Sequence, residues 1–256
     1  MPRKSKTCIT ILWTKLCLLW ALCACTFPSF AQSRIDLDKL FLKKSSLSVA
    51  YGLSFPVLEF ASASLGKQSA GYAQTGQSLR LCFSYETMPL LGIKLGYMQH
   101  TFPFHDDALL ANYRILNQPA TVNYVTVDDY YLQGLIIGFF VPLHYPRTTI
   151  ELGVSGGFAT ANLPQLDFSV TSVTNTQQFL LPEATARDLV YMAGVRVKHQ
   201  LIGNLLLTAE ADFLYSEQTY TNLSLLVTPL RVQFLLPDYT QYYHAINVCA
   251  GLAVQF

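Results

Sequence analysis

The clearest pattern in this chain is a strict alternation of apolar residues with small or polar ones. From residue 246 to residue 256, every second side chain is apolar, and the residues between them are small or polar. Successive side chains of a β-strand point to opposite faces, so this spacing predicts a strand with two different faces. The apolar face consists of Ile246, Val248, Ala250, Leu252, Val254 and Phe256.

Seven further segments alternate in the same way, which makes eight candidate strands. Six of the eight are 9–11 residues long and two are seven, close to the length of about 9–11 residues that a tilted strand needs to cross a bilayer. The pattern is blurred only in the segment that begins at Tyr131. The seven segments cover residues 47–55, 79–85, 91–97, 131–141, 150–158, 189–197 and 207–215.

The second face of these strands distinguishes a membrane barrel from a soluble β-sandwich. The apolar face carries no charged residue on any strand, whereas the other face combines glycine and alanine with four bases and four acids. Connections of about 4–7 residues alternate with connections of about 20–28 residues, as the short turns and long loops of transmembrane barrels do. The sequence therefore predicts an all-β fold, an eight-stranded antiparallel up-and-down transmembrane β-barrel with long extracellular loops and short periplasmic turns.

The charged residues of the second face would point into the lumen of such a barrel. An eight-stranded barrel is only wide enough for its own side chains, so these charges are expected to pair with one another. We favour a plug of ion pairs, with a gated proton or ion path as the alternative. The predicted lumen network consists of Arg80, Glu86, Lys94, Glu151, Arg196, Lys198, Glu210 and Asp212.

Two cysteines, Cys82 and Cys249, share the inward face, on strands separated by one intervening strand. Two strand spacings amount to about 9–10 Å. A disulfide requires Cα atoms within about 7 Å. We therefore expect two free thiols.

The N-terminus has the features of a secretory signal peptide: a basic start, an apolar run of about 12 residues and small residues before a cleavage site. We place cleavage after Ala31 and define three segments: 1–31 as the signal peptide, 32–46 as a periplasmic N-terminal segment and 47–256 as the barrel. The alternative is lipoprotein processing at Cys25.

Removal of residues 1–31 leaves 17 − 4 = 13 basic against 16 acidic residues. A slightly acidic chain does not favour binding to nucleic acid.

Two acidic motifs, His105–Asp107 and Asp128–Asp129, flank one long loop and are the best candidates for catalysis. Rim histidines and aspartates are usually hydrated loop residues, and the sequence contains neither a phosphate-binding glycine loop nor a Cys/His metal spacing. We therefore predict no enzymatic activity, no cofactor and no metal site.

A short phrase occurs twice: "QFLLPEAT" at Gln178–Thr185 and "QFLLPDYT" at Gln233–Thr240. Both copies fall in predicted long loops, shortly before the next strand. We favour packing of the two copies on each other, and the alternative is an apolar patch for a partner. The predicted extracellular apolar cap is Phe179, Leu180, Leu181, Phe234, Leu235 and Leu236.

The residues around each copy also alternate. These stretches are "LDFSVTSV" at Leu166–Val173 and "LRVQF" at Leu230–Phe234. Strands are therefore expected to continue above the membrane, with Pro182 and Pro237 ending or bending them, because proline cannot donate to a ladder.

Several segments of the chain resemble those of small bacterial outer-membrane β-barrels, the family that includes the PorT-like barrel of type IX secretion. They are "YGLSFP" in the first strand, "FAS" at Phe60–Ser62, "GYAQTG" at Gly71–Gly76 and the terminal "LAVQF". The resemblance implies an outer-membrane location after signal-peptide removal, and Phe256 is similar to the terminal aromatic residue that the barrel-assembly machinery reads.

Taken with this resemblance, the residues favour a non-enzymatic outer-membrane barrel with a structural or protein-interaction role. A component of a type IX secretion or surface-export machine is the first alternative, and a small-solute or ion channel is the second. The expected partners are outer-membrane lipid and the barrel-assembly machinery. An envelope protein that contacts the extracellular loops is a further candidate partner.

Overall fold

The computed structural model describes residues 45–64, 70–116, 121–171, 176–228, 230 and 232–256. The predicted signal peptide 1–31, the cleavage site after Ala31, the alternative site at Cys25 and residues 32–44 of the predicted periplasmic segment all lie outside the described residues.

Eight antiparallel strands form a closed barrel, as the alternation predicts. They are β1 (Ser45–Pro56), β2 (Gly76–Met88), β3 (Leu91–Phe102), β5 (Tyr130–His144), β6 (Thr148–Leu163), β9 (Ala184–Ile202), β10 (Leu205–Tyr220) and β13 (Tyr239–Gln255). Strand β1 lies between β2 and β13, and its pairing with β13 runs from Ser46↔Gln255 to Pro56↔Ala245. This pairing closes the sheet and leaves no unpaired strand edge in the barrel wall.

The connections divide the barrel into two different ends. At the short-turn end, residues 89–90, 145–147 and 203–204 join consecutive barrel strands. Gly203 adopts a φ of 57°, a left-handed conformation that glycine reaches without a Cβ clash, so the turn between β9 and β10 can be tight. All four long connections emerge at the opposite, long-loop end.

The two faces of the barrel wall differ as the alternation predicts. On β1, Val49 is 51% exposed on the outside, whereas Ser48 is 3% exposed on the inside. Outward positions on the other barrel strands likewise leave leucine, isoleucine, valine and phenylalanine side chains exposed around the wall. No helix in the described part of the chain is long and apolar enough to cross a membrane.

A second sheet, which local periodicity did not reveal as a separate unit, is built from the long connections, and we call it the loop sheet. Its strands are β4 (Thr121–Val127), β7 (Leu166–Thr171), β8 (Thr176–Leu181), β11 (Ser224–Thr228) and β12 (Val232–Leu235). They lie in the order β12-β11-β8-β7-β4.

One helix, α1 (Asp106–Leu116), packs against the β4 end of the loop sheet. Asp106 and Asp107 lie in its first turn and Arg114 in its last, the charge order that the helix dipole favours. The ring of Tyr113 stacks on Phe168 of β7, with 5.0 Å between the ring centroids. The helix therefore covers the side of the sheet formed by β4 and β7.

Candidate functional site

The charged layer of the lumen nearest the short-turn end is centred on Lys198. Its Nζ lies 2.6 Å from Glu151 Oε1 and donates to Ser46 Oγ and Ser84 Oγ at 2.8 and 2.9 Å. The ammonium thus has one carboxylate and two hydroxyl groups as neighbours.

Next to this layer, Arg196 joins two carboxylates. Its Nε lies 2.8 Å from Glu210 Oε1 and its Nη1 lies 3.6 Å from Glu151 Oε2. Nη1 also donates to the Cys82 sulfur at 3.4 Å. Arg196, Glu151 and Glu210 are all more than 90% buried. Burial on this scale is tolerable only because each charge has an opposite partner.

Arg80 forms a further ion pair of the lumen, with Asp212. Both guanidinium Nη atoms contact the carboxylate, Nη2 at 2.7 Å from Oδ1, and Nη1 also lies 3.4 Å from Glu210 Oε2. Asn247 Nδ2 donates to the same Asp212 Oδ1 at 2.8 Å. The two-point contact fixes the orientation of the guanidinium plane.

The structure joins six of the eight predicted lumen charges in this network and leaves two apart. Glu86 lies toward the short-turn end of the lumen, where its carboxylate is 3.3 Å from His144 Nε2. Lys94 lines the same small cavity as Arg80 and Arg196, but among the described residues it has no ion pair. The connected network therefore holds three bases and three acids, rather than the four of each that the sequence suggested.

An aromatic layer closes the lumen on the long-loop side of the charges. Phe60, from the connection after β1, is fully buried, with its ring centroid 4.9 Å from that of Phe102 and 4.8 Å from that of Tyr243. The hydroxyls of Tyr220 and Tyr243 share a hydrogen bond of 2.8 Å. A loop residue and three strand residues thus meet in one packed cluster.

The sequence analysis missed this aromatic layer, although a signal for it was present. Tyr220 has the same inward parity on β10 as Glu210, and Phe102 has the same parity on β3 as Lys94. Extending the alternation beyond the membrane-length segments places both rings in the lumen. Phe60 lies outside any strand, so no periodicity could have placed it.

The two inward cysteines are free and buried, as expected from their separation. Cys82 on β2 and Cys249 on β13 pair with Ser48 and Gly52 of the intervening strand β1.

The two acidic motifs of the long loop lie close together, because the charges of Asp107, Asp129 and His105 all act on the Asp106 carboxyl. Asp106 and Asp107 begin α1, and Asp128 and Asp129 connect β4 to β5. Burial raises the pKa of the Asp106 carboxyl, and a hydrogen bond from the backbone of Val127 opposes this shift. In the part of the chain that the structure describes, no group of three His, Cys, Asp or Glu side chains could hold a metal ion.

The repeated phrase marks two similar hairpins of the loop sheet. Its first copy lies on β8, which pairs with β7, and its second copy lies on β12, which pairs with β11. Pro182 and Pro237 follow these strands and precede barrel strands β9 and β13. The repeat therefore corresponds to the same type of connection built twice.

The two copies do not pack on each other in the way we expected, because strand β11 separates them in the sheet. Phe179 stacks on Phe168 at 4.7 Å, and Leu180 is paired with Leu226 of β11. Leu181 and Leu236 both pack against the buried cluster that contains the aromatic layer. Equivalent positions of the two copies thus contact the same cluster, although one strand lies between the copies in the sheet.

The β12 end of the loop sheet exposes apolar side chains. All four residues of β12 are exposed, and Phe234 and Leu235 reach 53% and 77%. Among the described residues, β12 pairs only with β11. Leu236 donates its N–H to Leu223 on the β11 side, so the alternation of an antiparallel ladder directs the backbone groups of Gln233 and Leu235 to the open edge.

Phe256 lies on the outside of the barrel at the short-turn end. It exchanges two backbone hydrogen bonds with Ser45, and its ring is 6.4 Å from that of Phe83. The role of Phe256 as an assembly signal stays a prediction.

No family model and no curated protein matches this chain. Solved structures with a similar backbone include the attachment invasion locus protein Ail of Yersinia pestis, at 13% identity and a TM-score of 0.41 over 84% of this chain and 99% of that chain. A major outer membrane protein from Thermus thermophilus is similar at 15% identity and a TM-score of 0.43, over 83% and 99%. The outer membrane protease OmpT from Escherichia coli is similar at 9% identity and 0.37, over 83% and 97%. At these values the likeness concerns the fold alone.

Proposed function

We propose that this chain is a non-enzymatic integral outer-membrane β-barrel whose loop sheet binds another polypeptide at the cell surface. The observation that carries the proposal is the open edge of β12. Among the described residues, no strand pairs with the outer edge of β12. The side chains of Phe234 and Leu235 on this strand are also exposed.

The membrane location rests on the outer face of the barrel. On β10, outward positions from Leu205 to Tyr215 are apolar or aromatic, and the next outward residue is Glu217. About ten residues of a strand tilted by about 40° span roughly 25 Å, the height of the apolar band of such barrels. Short turns then lie in the periplasm and the long loops lie outside the cell.

The filled lumen favours an interaction role over the channel alternative. The ion-pair network and the aromatic layer occupy successive levels of the interior, with Arg196 and Tyr243 both buried. An eight-stranded barrel has room for little more than such side chains. The secretion-machine alternative rests on the family resemblance alone.

An open strand edge is a template for a further strand. Backbone hydrogen bonds supply affinity in such pairing, and side chains on alternate positions supply specificity. The partner that fits β12 is therefore an extended segment with apolar side chains.

The exposure of Leu235 allows a direct test of this binding in cells. A photo-crosslinking residue replaces Leu235, and a matched control places it at Leu58, which is 67% exposed outside the loop sheet. We expect protein adducts from position 235 and few or none from position 58.

A second variant separates strand pairing from simple apolar contact. Gln233→Pro removes an N–H from the open edge without removing a bond to β11, and proline is tolerated on edge strands. Adduct yield should fall several-fold in Gln233→Pro and stay unchanged in Gln233→Ala. Equal yields from both variants, or equal adducts from positions 235 and 58, would contradict the proposal.

A further inference from the structure

Ring side chains lie next to one another on the outer wall of the barrel, on the adjacent strands β9, β10 and β13. Tyr215 of β10 is paired in register with Tyr191 of β9 and with His244 of β13. Its ring centroid lies 6.4 Å from that of Tyr191 and 5.1 Å from that of His244. The ring of Tyr242 stacks on His244 from the long-loop side, with 5.9 Å between the centroids. We call these four residues the ring patch.

The ring patch lies where the apolar band of the wall ends. On β10, Phe213 is the next outward residue toward the short turns, and Glu217 is the next outward residue toward the long loops. Aromatic side chains with polar tips concentrate at this level of membrane proteins, where the lipid headgroups begin. The groups that meet the patch from the membrane side are therefore the headgroups of the outer leaflet.

His244 differs from its neighbours on this wall, because it is polar and yet only 9% exposed. Its Nδ1 is buried and has no hydrogen-bond partner among the described residues. A buried polar atom without a partner is destabilising. His244 shares the outward parity of Ile246, so a lipid headgroup is the group that can supply a partner to this ring.

The charges around the patch favour a hydroxyl group over a phosphate. Glu217 Oε2 accepts a hydrogen bond from the Tyr215 hydroxyl at 3.4 Å. The carboxylates of Glu217 and Glu59 also act on the Tyr242 hydroxyl. Strands β10 and β13 contain no lysine or arginine, and Arg187 of β9 contacts a ring of β6 on the side away from β10. Carboxylates repel a phosphate, whereas a sugar hydroxyl donates to a carboxylate and bonds to either nitrogen of an imidazole.

On the short-turn side of the ring patch, the wall has a groove of small side chains. Its floor consists of the outward residues Ala193, Ala209, Ala211 and Ala250. Ala209 is paired in register with Ala250, and Ala193 is paired with Phe213. The larger outward side chains of Phe213 and Val248, 40% and 50% exposed, border the groove. An acyl chain in this groove would place its own headgroup at the level of the rings.

We propose that the ring patch and the alanine groove together bind one lipid with a sugar headgroup from the outer leaflet. The apolar face of the sugar contacts the rings of Tyr191 and Tyr215. Its hydroxyls bond to Glu217 and His244, and one acyl chain fills the groove. The site faces the membrane, so it is independent of β12 and of the partner proposed for that strand.

Native mass spectrometry of the full chain tests the site. The barrel is folded in a detergent without a sugar headgroup and mixed with equal amounts of a glucosyl diacylglycerol and a phosphatidylcholine that carry the same acyl chains. We expect one glucosyl lipid to stay bound to each barrel, and phosphatidylcholine to be retained several-fold less. Equal retention of the two lipids would mean ordinary lipid contact and would overturn the proposal.

Two variants and a matched control locate the lipid. Tyr215→Leu removes a ring but keeps an apolar side chain on the wall, and Ala211→Leu fills the groove without adding a polar group. Each should leave the barrel folded and lower the retention of glucosyl lipid several-fold. Tyr97→Leu is the control, because Tyr97 faces outward on β3, which lies opposite β10 in the strand order. An equal loss in Tyr97→Leu would mean unspecific binding to interfacial rings and would contradict the site.

A third variant, His244→Phe, separates hydrogen bonding from packing. It keeps a ring at this position and removes both ring nitrogens, so the retention of glucosyl lipid should fall while that of phosphatidylcholine stays the same. Unchanged retention of glucosyl lipid would overturn the assignment of the headgroup. Recovery of the unaltered chain as a dimer that excludes both lipids would show that this face binds a second barrel, and would also overturn the proposal.

Discussion

Tyr220 and Tyr243 share a hydrogen bond of 2.8 Å between their hydroxyls, and both rings are fully buried in the lumen. The hydrogen bond satisfies two phenols that burial would otherwise leave without water. Phe60 packs on Tyr243 from the long connection after β1, so a loop residue completes the layer that closes the barrel.

Truncating Phe60 should therefore destabilise the barrel. Phe60→Ala removes a fully buried ring and should lower the free energy of unfolding by about 3–5 kcal/mol, measured by urea denaturation in detergent. Phe234→Ala, at a half-exposed ring of β12, is the control and should change little.

Conductance in planar bilayers tests whether the lumen is filled. The Phe60→Ala barrel should not conduct, because the ion pairs still fill the lumen. Steady conductance by the unaltered chain would contradict a filled lumen.

The ion pair between Glu151 and Lys198 should show strong coupling. Glu151→Gln leaves buried cations without their acceptor and should destabilise the barrel by about 3–5 kcal/mol. Adding Lys198→Met should recover part of this loss, so that the double variant costs less than the sum of the single variants in urea denaturation.

Glu86→Gln is the matched control for this cycle, because Glu86 contacts the partly exposed His144 rather than a buried cation. A partly exposed pair is worth at most about 1 kcal/mol. Strict additivity of Glu151→Gln and Lys198→Met would show that the two side chains do not interact.

Neighbouring residues of β13 should respond oppositely to a membrane probe. Leu252 is 47% exposed on the outer face, whereas Ala253 is 1% exposed in the lumen. Leu252→Arg should cost about 2–4 kcal/mol if it lies at the bilayer midplane. Spin labels at Leu252 should be accessible to lipid-soluble relaxers and those at Ala253 shielded, and the reverse result would invert the face assignment.

The repeated leucines should separate into structural and surface positions. Leu181→Ala and Leu236→Ala should each loosen the loop sheet and increase protease cleavage near Pro182 and Pro237, because both side chains pack against the buried cluster. Leu235→Ser, at an exposed position, should leave proteolysis unchanged. Equal cleavage of all three variants would mean that this difference in burial has no energetic consequence.

Local sequence pattern was enough to predict the barrel wall. Alternate side chains of each barrel strand face the outside or the lumen, and these two environments require different residues. Period-two alternation therefore predicts the eight strands, their faces and the short turns. The free thiols at Cys82 and Cys249 follow from strand order, because strand spacing in a sheet is nearly constant.

Long-range packing determines which charges meet and what closes the lumen. Inward parity placed Lys94 and Glu86 with the other charges, but the register around the barrel sets the distances between side chains on different strands, and it leaves Lys94 without a carboxylate among the described residues. The loop sheet depends on pairing between connections far apart in the chain, as between β8 and β11, which local periodicity does not encode. Phe60 reaches the lumen only because its loop folds inward, a placement that depends on tertiary contacts rather than on alternation.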